Sequence, residues 1–176
     1  MEINVSSLIR HPIDRVFHAY RDELPKIAPY LGNVKEIRVD KREESNGVVK
    51  LHNVWIGKGE IPRAVQSILK PDSLSWDDFA DWYTEGMYCK WRLRTRVFTD
   101  AVNSFGENRL TAEGPNATRV TLKGILDINV KEVPGVPRIL AGTIKPQLES
   151  FIVMLIKPNL EQVNTSLGKY LDANPK

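Results

Sequence analysis

The sequence predicts an α+β fold: a curved antiparallel β-sheet wrapped around one long C-terminal α-helix, with two short helices after the first strand. Three observations predict it. Apolar and polar residues alternate with period two in block after block between Val34 and Val130, with turn residues between the blocks. Between the first alternating stretch and Val34 the spacing is helical and broken by prolines. From Pro134 onward the chain reads as helix apart from its prolines. A sheet with one apolar face needs a cover, and the terminal helix is the element available to supply it.

Taken in order, "EINVSSLI" alternates as a strand over Glu2–Leu8. Pro12 suits the first turn of a helix, where its missing N–H has no partner to lose, and Ile13, Val16, Phe17 and Tyr20 give that helix an apolar face. Pro25 and Pro29 leave room for a short second helix around Glu23–Tyr30, ended by Gly32. "VKEIRVDKREESNGVVKLHNVWIG" is a hairpin with Asn46–Gly47 at its turn. In "EIPRAVQSILKPDS", Ile61, Val65, Ile68 and Leu69 share a helical face behind Pro62; a short helix is expected there, with a strand as the competing assignment. "LSWDDFADWY", "YCKWRLRTRVF", "VNSFGENRLTAEG" and "ATRVTLKGILDINV" are four further strands, separated at Gly86, Asp100 and Gly114–Pro115–Asn116. Short turns between consecutive strands favour antiparallel neighbours.

The apolar run in "SFIVMLIKPNLEQV" spans only Phe151–Ile156 before Lys157, far short of the ~20 residues a membrane-spanning helix needs. Leu148, Phe151, Ile152 and Leu155 form one stripe, whose burial contributes on the order of 6–12 kcal/mol. A proline inside a helix costs about 3 kcal/mol, so the helix is expected to run through Pro158 with a bend. Val163, Leu167 and Leu171 continue the stripe, drifted by roughly 70°.

A chain of 176 residues is one domain, 1–176, large enough for a sizeable core. Its net charge of +3 gives no reason to expect a nucleic-acid partner. The first residues lack the basic and apolar regions of a secretory signal. Cys89 is the single cysteine, so no internal disulfide forms and a cytoplasmic setting is expected.

"HPIDRVF" at the first strand-to-helix junction, "TRVTLKG" on the last strand and the apolar terminal helix carry a resemblance. On them the chain resembles the START-like superfamily, also called the Bet v 1-like or polyketide cyclase/SRPBCC family, with its helix-grip fold. The resemblance covers almost the whole chain as an order of elements, the helix near Pro62–Leu69 being a variation. It implies a cavity between sheet and helix that commonly holds a lipid, sterol, polyketide or other hydrophobic molecule. Three functions stay open: binding or transport of such a molecule, a cofactor-free cavity enzyme of the polyketide cyclase, aromatase or dehydratase type, and a scaffold or regulatory domain whose cavity is merely core.

Strand alternation sorts the residues that would face this cavity. Trp91, Leu93, Thr95 and Val97 share one face, and Lys90, Arg92, Arg94 and Arg96 the other. That basic stripe is either a solvated face balanced by Asp77 and Asp81 or a surface for transient contact with an anionic membrane. Val49, Leu51, Asn53 and Trp55 point inward, with Val48, Lys50, His52 and Val54 outward. Leu74, Trp76, Asp78, Ala80 and Trp82 share a face, as do Val120, Leu122, Gly124, Leu126 and Ile128. Gly124, lacking a side chain, leaves room for the helix or a ligand. Asn53, Asp78, Thr95 and Asn108 add sparse polar atoms to an apolar wall, the mixture a small-molecule pocket uses. Leu148, Phe151, Ile152 and Leu155 supply the wall on the helix side. Asp78 is the diagnostic position, because a buried carboxylate must be partnered, solvated at a mouth, or functional.

Catalytic motifs are absent from the sequence. His11, His18 and His52 show no metal-ligand spacing, so no metal site is expected, and Cys89 has no neighbouring histidine. Without a P-loop or GxGxxG pattern no cofactor is expected. Were the chain an enzyme, Asp78, Asn53, Tyr83 and Tyr88 would be the acid–base candidates. The segment Gly57–Ser73 and "KEVPGVPR" are the candidate gates.

Overall fold

A computed structural model of the chain describes residues 1–61, 63, 74–96, 102–128 and 138–175. Its sheet has seven strands: β1 (Glu2–Ile9), β2 (Val34–Ser45), β3 (Val48–Gly57), β4 (Ser75–Tyr83), β5 (Tyr88–Thr95), β6 (Val102–Ala112) and β7 (Thr118–Ile128). Their spatial order is β1-β7-β6-β5-β4-β3-β2, and every neighbouring pair is antiparallel. Sequential hairpins thus build the meander from β2 to β7, and β1 returns to pair with β7 at the far edge.

Local chemistry explains the punctuation. Asn46 (φ 52°) and Gly47 (φ 76°) both adopt the left-handed conformation at the β2–β3 turn, which matches the twist of the flanking strands. Pro12 caps α1 (Ile13–Asp22) with a backbone carbonyl that accepts from Val16 N–H at 3.0 Å. The buried face of α1 comprises Val16, Phe17, Ala19 and Tyr20. The proline-limited second helix is α2 (Leu24–Ile27), followed by a 3₁₀ turn over Ala28–Tyr30. β2 is buried only at Val34 and Ile37, with register shifts between Val34 and Glu36 and between Val39 and Lys41.

The last element, α3 (Arg138–Ala173), contains both Pro146 and Pro158, and its passage through Pro158 is the outcome expected from weighing packing against the cost of a proline. Leu148, Phe151, Ile152 and Leu155 are buried before Pro158, and Val163, Leu167 and Leu171 after it, all in one core with the inward strand residues. Met154 points away from that core and is exposed. Polar contacts fasten the end of α3 to the opening elements. Ser166 donates to the Tyr30 carbonyl at 3.0 Å, His11 meets Asp172 at 2.9 Å, and the Tyr170 hydroxyl donates to Glu23. Val54, placed outward by alternation, is buried nonetheless, although it lies outside the contiguous core. The expected helix at Pro62–Leu69 (apart from Arg63), Val97, the break at Asp100, and most of both proposed gates lie outside the described residues.

Candidate ligand cavity

The inward faces of β3 to β7 form rows of side chains across the sheet. Asn53, Asp78 and Leu93 are cross-strand partners, as are Trp55, Trp76 and Thr95. Trp82, Cys89, Asn108 and Leu122 form another row, and Trp91, Gly106 and Gly124 a third. Over these rows pack Tyr20 of α1, Leu24 of α2, and Asn159, Leu160 and Val163 of α3, leaving a cavity between. Its volume is about 50 Å³. All four tryptophans of the chain, Trp55, Trp76, Trp82 and Trp91, are on its wall.

The rings are held by one another and by hydrogen bonds. Trp55 stacks on Trp76 with centroids 5.7 Å apart. Trp82 receives Phe17 and Tyr20 edge-on at 5.4 and 5.2 Å. Trp91 Nε1 donates to Asn108 Oδ1 at 3.0 Å, and Asn108 Nδ2 donates to the Tyr20 hydroxyl at 2.9 Å, tying β5, β6 and α1 together. Asp78 Oδ2 accepts from Asn53 Nδ2 at 3.1 Å and from Trp55 Nε1 at 3.3 Å. Asp78 is therefore partnered, but by neutral donors: among the described residues no cation pairs with it.

Burial dominates the electrostatics. It pushes the Asp78 carboxyl up to about 6, against the two hydrogen bonds and the more distant His52. Burial also raises the Tyr20 phenol and the Cys89 thiol, and the charge of Asp78 adds to both effects. A thiol held protonated in this way is a packing group, not a nucleophile. Three buried polar atoms near Asp78 or on the wall have no hydrogen-bond partner among the described residues: Asn53 Oδ1, Trp82 Nε1 and Asn159 Oδ1.

Of the residues named from sequence, Trp55, Trp76, Asp78, Trp82, Trp91, Leu93, Asn108 and Leu122 line the cavity. Leu51, Asn53, Thr95 and Leu126 are buried on the same face but are not on its wall. Three assignments need correction. Leu148, Phe151, Ile152 and Leu155 pack into the core, and α3 meets this cavity with Asn159, Leu160 and Val163 instead. Leu155 is engaged above Gly57, where a Cβ would come within 2.9 Å of its Cδ1. Gly124 leaves room for neither helix nor ligand, because the indole of Trp91 fills the space. Tyr83 and Tyr88 stack on each other at 4.5 Å on the outer face, under Lys90 and Arg109, away from the cavity.

Sequence reasoning did not select Tyr20, Leu24, Cys89, Asn159, Leu160 or Val163 for the wall, and it placed Ala80 on the shared inward face without naming it as a ligand contact. Alternation carried back from Trp91 reaches Cys89, and Ala80 lies between Asp78 and Trp82 on their face, so those two were within reach. Tyr20 sits on the predicted apolar face of α1. Nothing local distinguishes Asn159.

The outer face matches its expected composition. Lys90, Arg92, Arg94 and Arg96 are all exposed; Arg92 lies over the Phe79 ring at 5.4 Å, and Arg96 pairs with Asp77 at 2.8 Å. His52 also binds Asp77 at 2.8 Å; against burial, which raises it, Arg96 and His52 hold that carboxyl below its usual range. No group of three or more metal-ligating side chains occurs among the described residues. Nor is any helix among them long and apolar enough to cross a membrane.

Solved structures share this architecture. The Zhui aromatase/cyclase from Streptomyces sp. R1128 superimposes with a TM-score of 0.61 at 18% identity, over 99% of this chain and 96% of its own. Norcoclaurine synthase from Thalictrum flavum, in complex with dopamine and hydroxybenzaldehyde, gives 0.55 at 11% identity, over 100% and 88%. Ara h 8.0201 gives 0.52 at 10% identity, over 99% of both chains. The chain thus has the Bet v 1-like helix-grip fold anticipated from the order of its elements. No protein-family model and no curated protein matches the sequence itself.

Proposed function

We propose that this chain binds a hydrophobic small molecule in the cavity between its sheet and α3. The observation that carries this reading is a wall holding all four tryptophans together with two buried polar atoms that have no partner among the described residues, Trp82 Nε1 and Asn159 Oδ1. A sealed core pairs such atoms, whereas a binding site leaves a few to orient its ligand. Apolar rings would desolvate the ligand, and the sparse polar atoms would fix its pose. The room of about 50 Å³ is far below what a sterol or lipid chain fills, so a ligand of that size must displace part of the wall. The solved structures give independent support: one was determined with two small aromatic molecules bound, and another is an aromatase/cyclase.

A second reading is favoured by one observation. Asp78, buried on the cavity wall with a carboxyl near 6, is suited to moving a proton at neutral pH. A cofactor-free cyclase or dehydratase would use it in that way, with the cavity holding the substrate in a reactive fold.

Mass spectrometry of organic-soluble material co-purifying with the protein, paired with displacement of an apolar fluorescent dye by the same extract, tests both readings. A recovered compound that displaces the dye unchanged supports binding. Its conversion by wild type but not by Asp78→Asn supports the enzyme. A dye that never enters and an empty extract would leave the cavity as core alone.

A further inference from the structure

Resting on the binding reading, we infer that the ligand carries a positively charged nitrogen, received by Asp78 inside the box of tryptophans. The argument starts from charge. Asp78 is 7% exposed, and its two hydrogen bonds, from Asn53 and Trp55, both fall on Oδ2. Its other oxygen has no partner among the described residues. The ionisable groups around it bring no positive charge to the cavity side. Tyr20 on α1 and Cys89 on β5 are held neutral by burial, and the groups facing it from β6 and α3, Asn108 and Asn159, are uncharged. His52 acts from the opposite face of the sheet, where it is already bound to Asp77. A buried carboxylate with only neutral donors is an incomplete ion pair, and a ligand that supplies the cation completes it.

The rest of the wall fits the same partner. Tryptophan is the best aromatic surface for a cation, and the attraction grows when water is excluded. All four tryptophans are gathered at this one place, with Tyr20 beside them. Among the described lining residues, Asp78 Oδ1 and Asn159 Oδ1 can each take an N–H, and Trp82 Nε1 and the Tyr20 O–H, whose oxygen accepts from Asn108, have no acceptor. A purely apolar ligand would leave both acceptors dry and unpaired, and an anionic one would be repelled by Asp78. The room of about 50 Å³ suits a compact head group, corresponding to roughly four waters. The chemical class is therefore an amine, protonated at neutral pH, on an aromatic or otherwise apolar body.

The test compares phenethylammonium with 2-phenylethanol, a neutral molecule of nearly the same shape that still donates a hydrogen bond. Tryptophan fluorescence reads binding directly, since every tryptophan lies on the wall. The ammonium is expected to bind at least about tenfold more tightly than the alcohol to the wild-type chain. In Asp78→Asn, which keeps the side-chain shape, the ammonium should lose its tenfold preference over the alcohol. Equal affinities in the wild type overturn the cation inference and leave the binding reading standing. So does uptake of an apolar dye together with failure of the ammonium to bind. If dye, alcohol and ammonium all fail to bind, both readings fall. The wild-type comparison needs no variant, so a misfolded Asp78→Asn cannot blur the outcome.

Discussion

The indole of Trp91 occupies the space that a side chain at position 124 would need: a Cβ on Gly124 would lie 2.7 Å from Trp91 Cη2. Gly106, the cross-strand partner of both residues, repeats the relation, with its Cβ position 2.5 Å from Trp91 Cζ2. Two adjacent strands thus omit side chains so that one large ring can lie across them and reach Asn108.

Gly124→Ala is therefore expected to push Trp91 off its hydrogen bond and to destabilise the protein by about 1–3 kcal/mol, the usual range for overpacking. Gly106→Ala should cost more, because its added Cβ also meets the backbone carbonyl of Lys123, which cannot swing aside. Urea unfolding followed by tryptophan fluorescence measures both. A Gly124→Ala variant as stable as wild type, with unchanged emission, would contradict the slot.

Much of this arrangement is legible in the sequence, and the boundary has a physical cause. A strand's side chains alternate strictly, so one well-placed residue such as Trp91 or Asp78 settles the face of all its neighbours. That is why the inward rows, the outer basic stripe and the buried position of Asp78 could be read directly. The same alternation puts Tyr83 and Tyr88 outside, and only their hydroxyls made them candidates. The helix is different. Its pattern shows which stripe is buried but not how far it slides along the sheet, so Leu155 could not be distinguished from Val163 as a cavity residue. The purpose of Gly124 was hidden for a related reason: a missing side chain says that something comes close, and only the packed structure says it is Trp91.

Asp78 makes a prediction whose sign follows from its raised pKa. Its ordinary value is 3.8 and its value in the fold about 6, so between those limits the folded chain holds more protons than the unfolded one. The stability this lends is fully present below pH about 4 and is lost as pH rises through about 6. The difference corresponds to on the order of 3 kcal/mol. Asp78→Asn removes the titration, so the variant should gain on the ligand-free wild type across that window. It should end about 1–3 kcal/mol the more stable at neutral pH. Denaturant midpoints of both proteins across the window test this. A constant difference would show that burial does not raise the Asp78 carboxyl.

Asn108 joins two buried groups that have no other use for it. It accepts from Trp91 Nε1 and donates to the Tyr20 hydroxyl. Asn108→Leu keeps the volume but strands the indole N–H, and each buried polar group left alone costs about 1–3 kcal/mol. The variant should therefore be destabilised by at least about 2 kcal/mol. Trp91→Phe combined with it should recover part of that loss, since the phenyl ring asks for no partner. A double-mutant cycle by urea unfolding measures the coupling, and strict additivity would refute the chain of bonds.

Pro158 poses the sharpest choice between helix propensity and tertiary packing. It has no N–H for the carbonyl four residues back, that of Met154, whose exposed position leaves the carbonyl a route to water. The next residue engages the neighbouring carbonyl twice over, because Asn159 Nδ2 donates to Leu155 O at 2.7 Å besides the backbone. This side-chain bond turns the Asn159 amide so that its oxygen remains free at the cavity. Pro158→Ala restores the backbone donor and removes a penalty of up to about 3 kcal/mol, so stability should rise. Binding of an apolar dye should stay the same if Leu160 and Val163 keep their places on the wall. A stabilised variant that binds the dye several-fold more weakly would show instead that the proline sets the position of α3 over the cavity. Unfolding and dye titration on the same protein separate these outcomes.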